Sequence, residues 1–147
     1  MEKTASKEYK SLTGEAGRHF FMYGARAMGE PTENSNTSLI LQQKWEDLSV
    51  YLFSCVLRDM PKNDRFTLGA DMRALVWEVE AALVQISLRA GNRWQLLNTV
   101  DVQAKVLLSM VRLGIRIGSI PEKRYESVSE KLVEIGRMVG GLKKAGR

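Results

Sequence analysis

The chain has 147 residues, 44% hydrophobic and 27% charged, the make-up of one ordinary globular domain with enough length to bury a core. Its single cysteine excludes an intramolecular disulfide, and its one histidine leaves little for metal or nucleophilic chemistry. Net charge is +5. Residues 1–80 carry 10 basic and 12 acidic side chains, whereas residues 81–147 carry 12 and 5, so an anion would be met by the C-terminal half.

Residues 1–38 are rich in Gly, Ser, Thr, Asn and Glu, with one apolar island at residues 18–23. A short helix over residues 15–28 is weakened by Gly17, Gly24 and Gly29. Residues 31–38 read as a linker. The segment is predicted to be flexible and separate from a helical domain over residues 39–145. No cationic-apolar leader is evident and no apolar run approaches ~18 residues, which makes a cytoplasmic protein the expectation.

A first helix is predicted over residues 39–60. Leu41, Trp45, Leu48, Leu52, Cys55 and Val56 recur at steps of three and four, the spacing of one helical face. Cys55 on that face reads as a buried, inert thiol. Pro61 stops the helix, because proline disfavours helical backbone at the residue before it.

A second helix opens near Asp64 and ends at Ala90-Gly91-Asn92. Leu68, Met72, Leu75, Val79, Leu83 and Ile86 form its core stripe. Trp77, Ala81, Val84 and Leu88 form another at a different angle, and a helix with two apolar faces packs on both.

The third helix, residues 96–117, is apolar nearly all round. One polar seam interrupts it, made by Lys105, Ser109, Arg112 and Arg116 at steps of four, three and four. A fourth helix follows, with Ser119 as its cap, Pro121 in its first turn and Glu122 complementing its dipole. Tyr125, Val128, Leu132, Ile135, Val139 and Leu142 give its core stripe. Glu126, Glu130 and Glu134 form a solvated acidic row.

Helices of about 20 residues are ~30 Å long, and short connections make neighbours antiparallel. The predicted fold is an all-α, up-down antiparallel four-helix bundle. The apolar surface of the second and third helices exceeds what one bundle buries, so a homo-oligomer is predicted. Gly114 and Gly118, and likewise Gly136 and Gly140, are spaced to admit another backbone or are local packing choices.

No acid or histidine lies on a core stripe, so no metal or cofactor site is expected inside the bundle, and no enzyme activity. The cations remain. Arg58, Lys62 and Arg65 flank the first turn, Arg73 follows, Arg89 and Arg93 flank the second turn, and Lys105, Arg112 and Arg116 make the seam. Cations on an apolar helix must face water, acids or a ligand. Phosphate is the fitting partner, bound without sequence preference and with strong salt dependence. Trp94, between two polar residues, is a candidate surface contact.

The stretch from Pro61 to Gly69, centred on Arg65-Phe66-Thr67-Leu68-Gly69, resembles the first hairpin of bacterial four-helix-bundle proteins related to the accessory variability determinant (Avd) of diversity-generating retroelements. Arg124-Tyr125-Glu126 and Glu134-Ile135-Gly136-Arg137-Met138-Val139-Gly140-Gly141 resemble their fourth helix, and the basic, leucine-rich third helix is similar. The resemblance covers residues 39–144. It leaves out residues 1–38, and Leu142 stands where the family often has an aromatic residue.

The resemblance implies a barrel- or ring-shaped homopentamer that binds the retroelement's reverse transcriptase, contacts RNA or DNA through its basic surface, and supports error-prone complementary-DNA synthesis without being an enzyme. Arg58, Arg65, Arg73, Arg89, Arg93, Lys105, Arg112 and Arg116 are then the candidates for phosphate or partner contact. A related branch, encoded within intervening sequences of ribosomal RNA genes, offers the alternative of a structural homo-oligomer with no polymerase partner.

Overall fold

The computed structural model describes residues 33–146, and these contain no strand. The helix expected over residues 15–28 and His19 lie outside the described residues. Helix α1 (Glu33–Tyr51) runs on into a π-helical segment (Leu52–Val56). A short α2 (Lys62–Phe66) leads into α3 (Leu68–Ser87), followed by α4 (Arg93–Arg116) and α5 (Lys123–Ala145).

The four long helices form an up-down antiparallel bundle. Trp45 donates its indole hydrogen to the Val76 carbonyl at 3.2 Å, and Gln42 donates to Glu80 at 2.7 Å, joining α1 to α3. Leu68 at the start of α3 reaches Gly114 near the end of α4. Lys143 late in α5 donates to Asn98 early in α4 at 3.2 Å, and Lys44 pairs with Glu134 at 3.0 Å between α1 and α5. The core stripes predicted for α3 and α5 are buried, apart from Leu68 and Tyr125 at the margins. Each fully buried leucine or valine contributes about 1.5–3 kcal/mol.

Helix α1 begins at Glu33, so residues 33–38 are helical rather than the linker their composition suggested. Ser38 is buried one turn before Leu41 and Gln42, and packing on that face extends the helix past its apolar stripe.

The first helix also ends differently. Leu57 N–H donates to the Leu52 carbonyl at 2.7 Å, five residues back. That wide turn brings Val56, Leu57 and Met60 into the core and leaves Cys55 half-buried at its margin. Regular α-helical helix therefore ends before Pro61, not because of it.

The second helix is broken at Thr67 (φ −104, ψ −92). Its hydroxyl donates back to the Asn63 and Asp64 carbonyls at 3.2 and 3.4 Å, competing with the backbone ladder.

Ser119 is not a cap. It is buried and donates to the Asp64 carboxylate, while α5 starts after Glu122 with no side-chain cap. Helix α4 begins at Arg93, ahead of the predicted residue 96, because the Asn92 side chain caps it by accepting from the Gln95 N–H at 3.1 Å.

Two of the four spaced glycines have local reasons. Gly118 sits at φ +79 and closes α4, where the Ser119 N–H reaches the Gly114 carbonyl at 2.8 Å. A Cβ on Gly114 would lie 2.4 Å from Ile120 Cδ1, so the chain's own loop fills that notch. Gly136 and Gly140 face open space.

Candidate nucleic-acid interface

Antiparallel packing sorts the cations by bundle end. The α1–α2 turn, the start of α3, the end of α4 and the start of α5 lie together, tied by Ser119 to Asp64 and by Arg124 to Asp59 at 3.6 Å. Arg58, Arg65, Arg73, Arg112 and Arg116 all belong to this end. The α3–α4 turn and the end of α5 form the other, which holds Arg89 and Arg93. Lys105 stands on the flank between them.

At the first end two candidates are spent on backbone. Arg65 Nη2 donates to the Arg58 and Met60 carbonyls at 3.1 and 3.0 Å, closing the C-terminus of the first helix. Arg73 donates to the Arg65 carbonyl at 3.4 Å. Arg58 is exposed and, among the described residues, pairs with its neighbour Asp59 at 3.6 Å.

Arg112 and Arg116 open onto a shallow cavity of about 470 Å³ that Ile115, Glu122, Lys123, Tyr125 and Glu126 complete. Arg112 donates to Ser109 at 3.0 Å. Neither arginine nor Lys123 makes an ion pair with a described residue. The predicted seam is therefore real and faces solvent, although Lys105 pairs within its own helix with Asp101 at 3.0 Å.

At the second end Arg89 is exposed and holds a left-handed backbone, φ 54. Arg93 is half-buried, and its Nη2, shielded from solvent, has no acceptor among the described residues. Trp94 is 52% exposed. Lys143 and Lys144, which sequence reasoning set aside as a helix end, join this group from α5. So do Lys123 and Arg124 at the first end. Their places follow from the topology alone, since the last turn of α5 must return beside the first turn of α4.

Outward apolar surface is also substantial. Ala70, Ala74, Trp77, Ala81, Val84 and Leu88 run along α3 at steps of four and three, all exposed and opposite its core face. That is the 3.5-residue repeat of a coiled-coil seam. On α4, Val102, Val106, Leu113 and Ile117 make a second exposed apolar row beside the cationic seam.

A family profile described as bAvd-like matches residues 39–145. The chain belongs to the bAvd-like family. No curated protein matches it, and no solved structure does. The bAvd-like span opens inside α1 and closes with the last residue of α5, so it takes in the whole helical domain predicted from sequence. Within the described part of this bAvd-like chain, no cluster of His, Cys, Asp or Glu could hold a metal ion, and no helix is long and apolar enough to cross a membrane.

Proposed function

We propose that this protein is a non-catalytic accessory subunit of a diversity-generating retroelement. It binds the reverse transcriptase and holds template RNA or complementary DNA through phosphate contacts. Membership of the bAvd-like family over residues 39–145 carries the reading. Uncommitted cations at both ends support it, because a phosphate chain needs exposed, unpaired arginine and lysine rather than a shaped pocket. Arg89, Arg112 and Arg116 meet that condition outright; Arg58 and Lys105, exposed but paired with Asp59 and Asp101, and the half-buried Arg93 are the further contacts. Arg65 and Arg73 act as braces that hold the first end in shape.

The outward rows on α3 and α4 supply the contact between copies, in a closed ring of which a pentamer is the form the family resemblance implies. The same rows favour the second reading, a structural homo-oligomer with no polymerase partner, since they call for further copies of the chain and for nothing else. Co-purification with a retroelement reverse transcriptase, together with RNA binding titrated against salt, separates the two. The accessory role predicts a stable complex and an affinity that falls steeply with salt. Salt-indifferent binding and no captured polymerase would exclude it.

A further inference from the structure

The second end of the bundle combines an exposed indole with positive charge that few acids offset. Trp94 lies in the first turn of α4. Lys143 stands over its ring, with Nζ 5.7 Å from the centroid. Lys143 is itself fixed from below, donating to Asn98 at 3.2 Å and pairing with Asp101 at 3.6 Å. The ring is thus braced from one side while half of its surface stays open to solvent.

Arg93 precedes Trp94 in α4, Arg89 lies in the turn before α4, and Lys144 follows Lys143 in the last turn of α5. Residues 81–100 contain no acid, and α5 has none after Glu134. Asp101, the carboxylate next in sequence to this end, is already engaged by two lysines, Lys105 and Lys143. None of Arg89, Arg93 or Lys144 makes an ion pair with a described residue. A bare aromatic face amid unneutralised cations matches a ligand that is both anionic and flat.

We propose that Trp94 stacks on an unpaired base of a single-stranded nucleic acid, whose flanking phosphates lie on Arg89, Arg93 and Lys144. Duplex bases are already stacked on one another and offer no free face, so the site selects single strands. This deepens the nucleic-acid reading given above and rests on it. It assigns base stacking to the second end, where Lys143 backs the ring.

The test uses the full chain and three labelled probes: a short oligouridylate, the same strand carrying abasic sites, and an RNA duplex of equal length. Anisotropy is read for wild type, Trp94→Ala and Trp94→Phe. Trp94→Ala is expected to weaken oligouridylate binding about tenfold, the size of one base stack, while leaving duplex and abasic strand unchanged. Trp94→Phe should keep most of the affinity. Circular dichroism checks that each variant is folded.

An unchanged affinity in Trp94→Ala, or an equal loss on all three probes, overturns the stacking role and leaves phosphate binding standing. A change in sedimentation of Trp94→Ala would give the residue to a contact between copies and overturn it too. Wild type that binds none of the probes at low salt removes this inference and the nucleic-acid reading together.

Discussion

Ser119, in the loop before α5, donates a hydrogen bond to the carboxylate of Asp64 in α2, 55 residues earlier in the chain. The serine is buried, and the pair locks the α4–α5 loop to the turn between the first helix and α3. Ser119→Ala would leave a partly buried carboxylate without this donor. The expected loss is about 1.5–3 kcal/mol, the range for a hydrogen bond to a charged group. A double-mutant cycle with Asp64→Ala in urea should return a coupling of that sign, since neither side chain bonds elsewhere among the described residues.

Gly114 is expected to tolerate no side chain. Its missing Cβ is replaced by Ile120, whose Cδ1 and Cγ1 would lie 2.4 and 2.8 Å from an added methyl. Gly114→Ala should cost about 1–3 kcal/mol by overpacking. Adding Ile120→Val removes the nearer atom and should recover part of that loss, read as a rise in unfolding midpoint over the single variant.

Glu46 and Glu80 make the fold sensitive to pH in one direction. Burial, then the neighbouring Glu80 and Asp47 carboxylates, raises the pKa of Glu46 above the ordinary 4.5. Burial raises Glu80 as well, against the opposing hydrogen bond from Gln42. A carboxyl whose folded pKa is raised favours the folded state while protonated, and that contribution is lost as pH climbs through the folded value. Glu46→Gln is therefore expected to raise the melting temperature at pH 7. Below the ordinary value of 4.5 the variant and the wild type should converge.

Arg89 separates stability from binding. It holds φ 54, where an L side chain is strained by roughly 1 kcal/mol and glycine is not. Arg89→Gly should therefore melt later than wild type and yet bind polyanions more weakly. A variant that gains stability and keeps its full affinity would take Arg89 out of the interface.

Trp77 tests the association of copies. It is 63% exposed at the middle of the outward α3 seam. Trp77→Glu should leave helicity intact, because the residue lies on the face of α3 opposite the core, while sedimentation shifts from the assembly to a single chain. An unshifted profile would place the contact elsewhere.

Much of this was legible in the sequence. The stripes of α3 and α5 announce their buried faces because three- and four-residue steps have no other cause, and Gly91-Asn92 marks a turn by its backbone chemistry, whereas Pro121, expected in the first turn of the fourth helix, lies ahead of it. The exposed second stripe of α3 was legible for the same reason. What escaped was tertiary. Ser38 joins the core by packing rather than by propensity, and a wide turn at Leu52 has no residue type that announces it. Arg65 and Arg73 looked like free cations because nothing local shows which carbonyls a long side chain will reach. Lys123, Arg124 and Lys143 gained their meaning only when the helices were laid antiparallel.

The wide turn between Leu52 and Val56 holds one residue more than a regular helical turn. Deleting a single residue there would close the turn to ordinary α-helical spacing and leave Leu57 and Met60 facing the core. The same deletion in the regular part of α1 would rotate everything downstream by about 100° relative to the upstream face. A one-codon shortening should therefore pass within residues 52–56 and fail a few turns earlier.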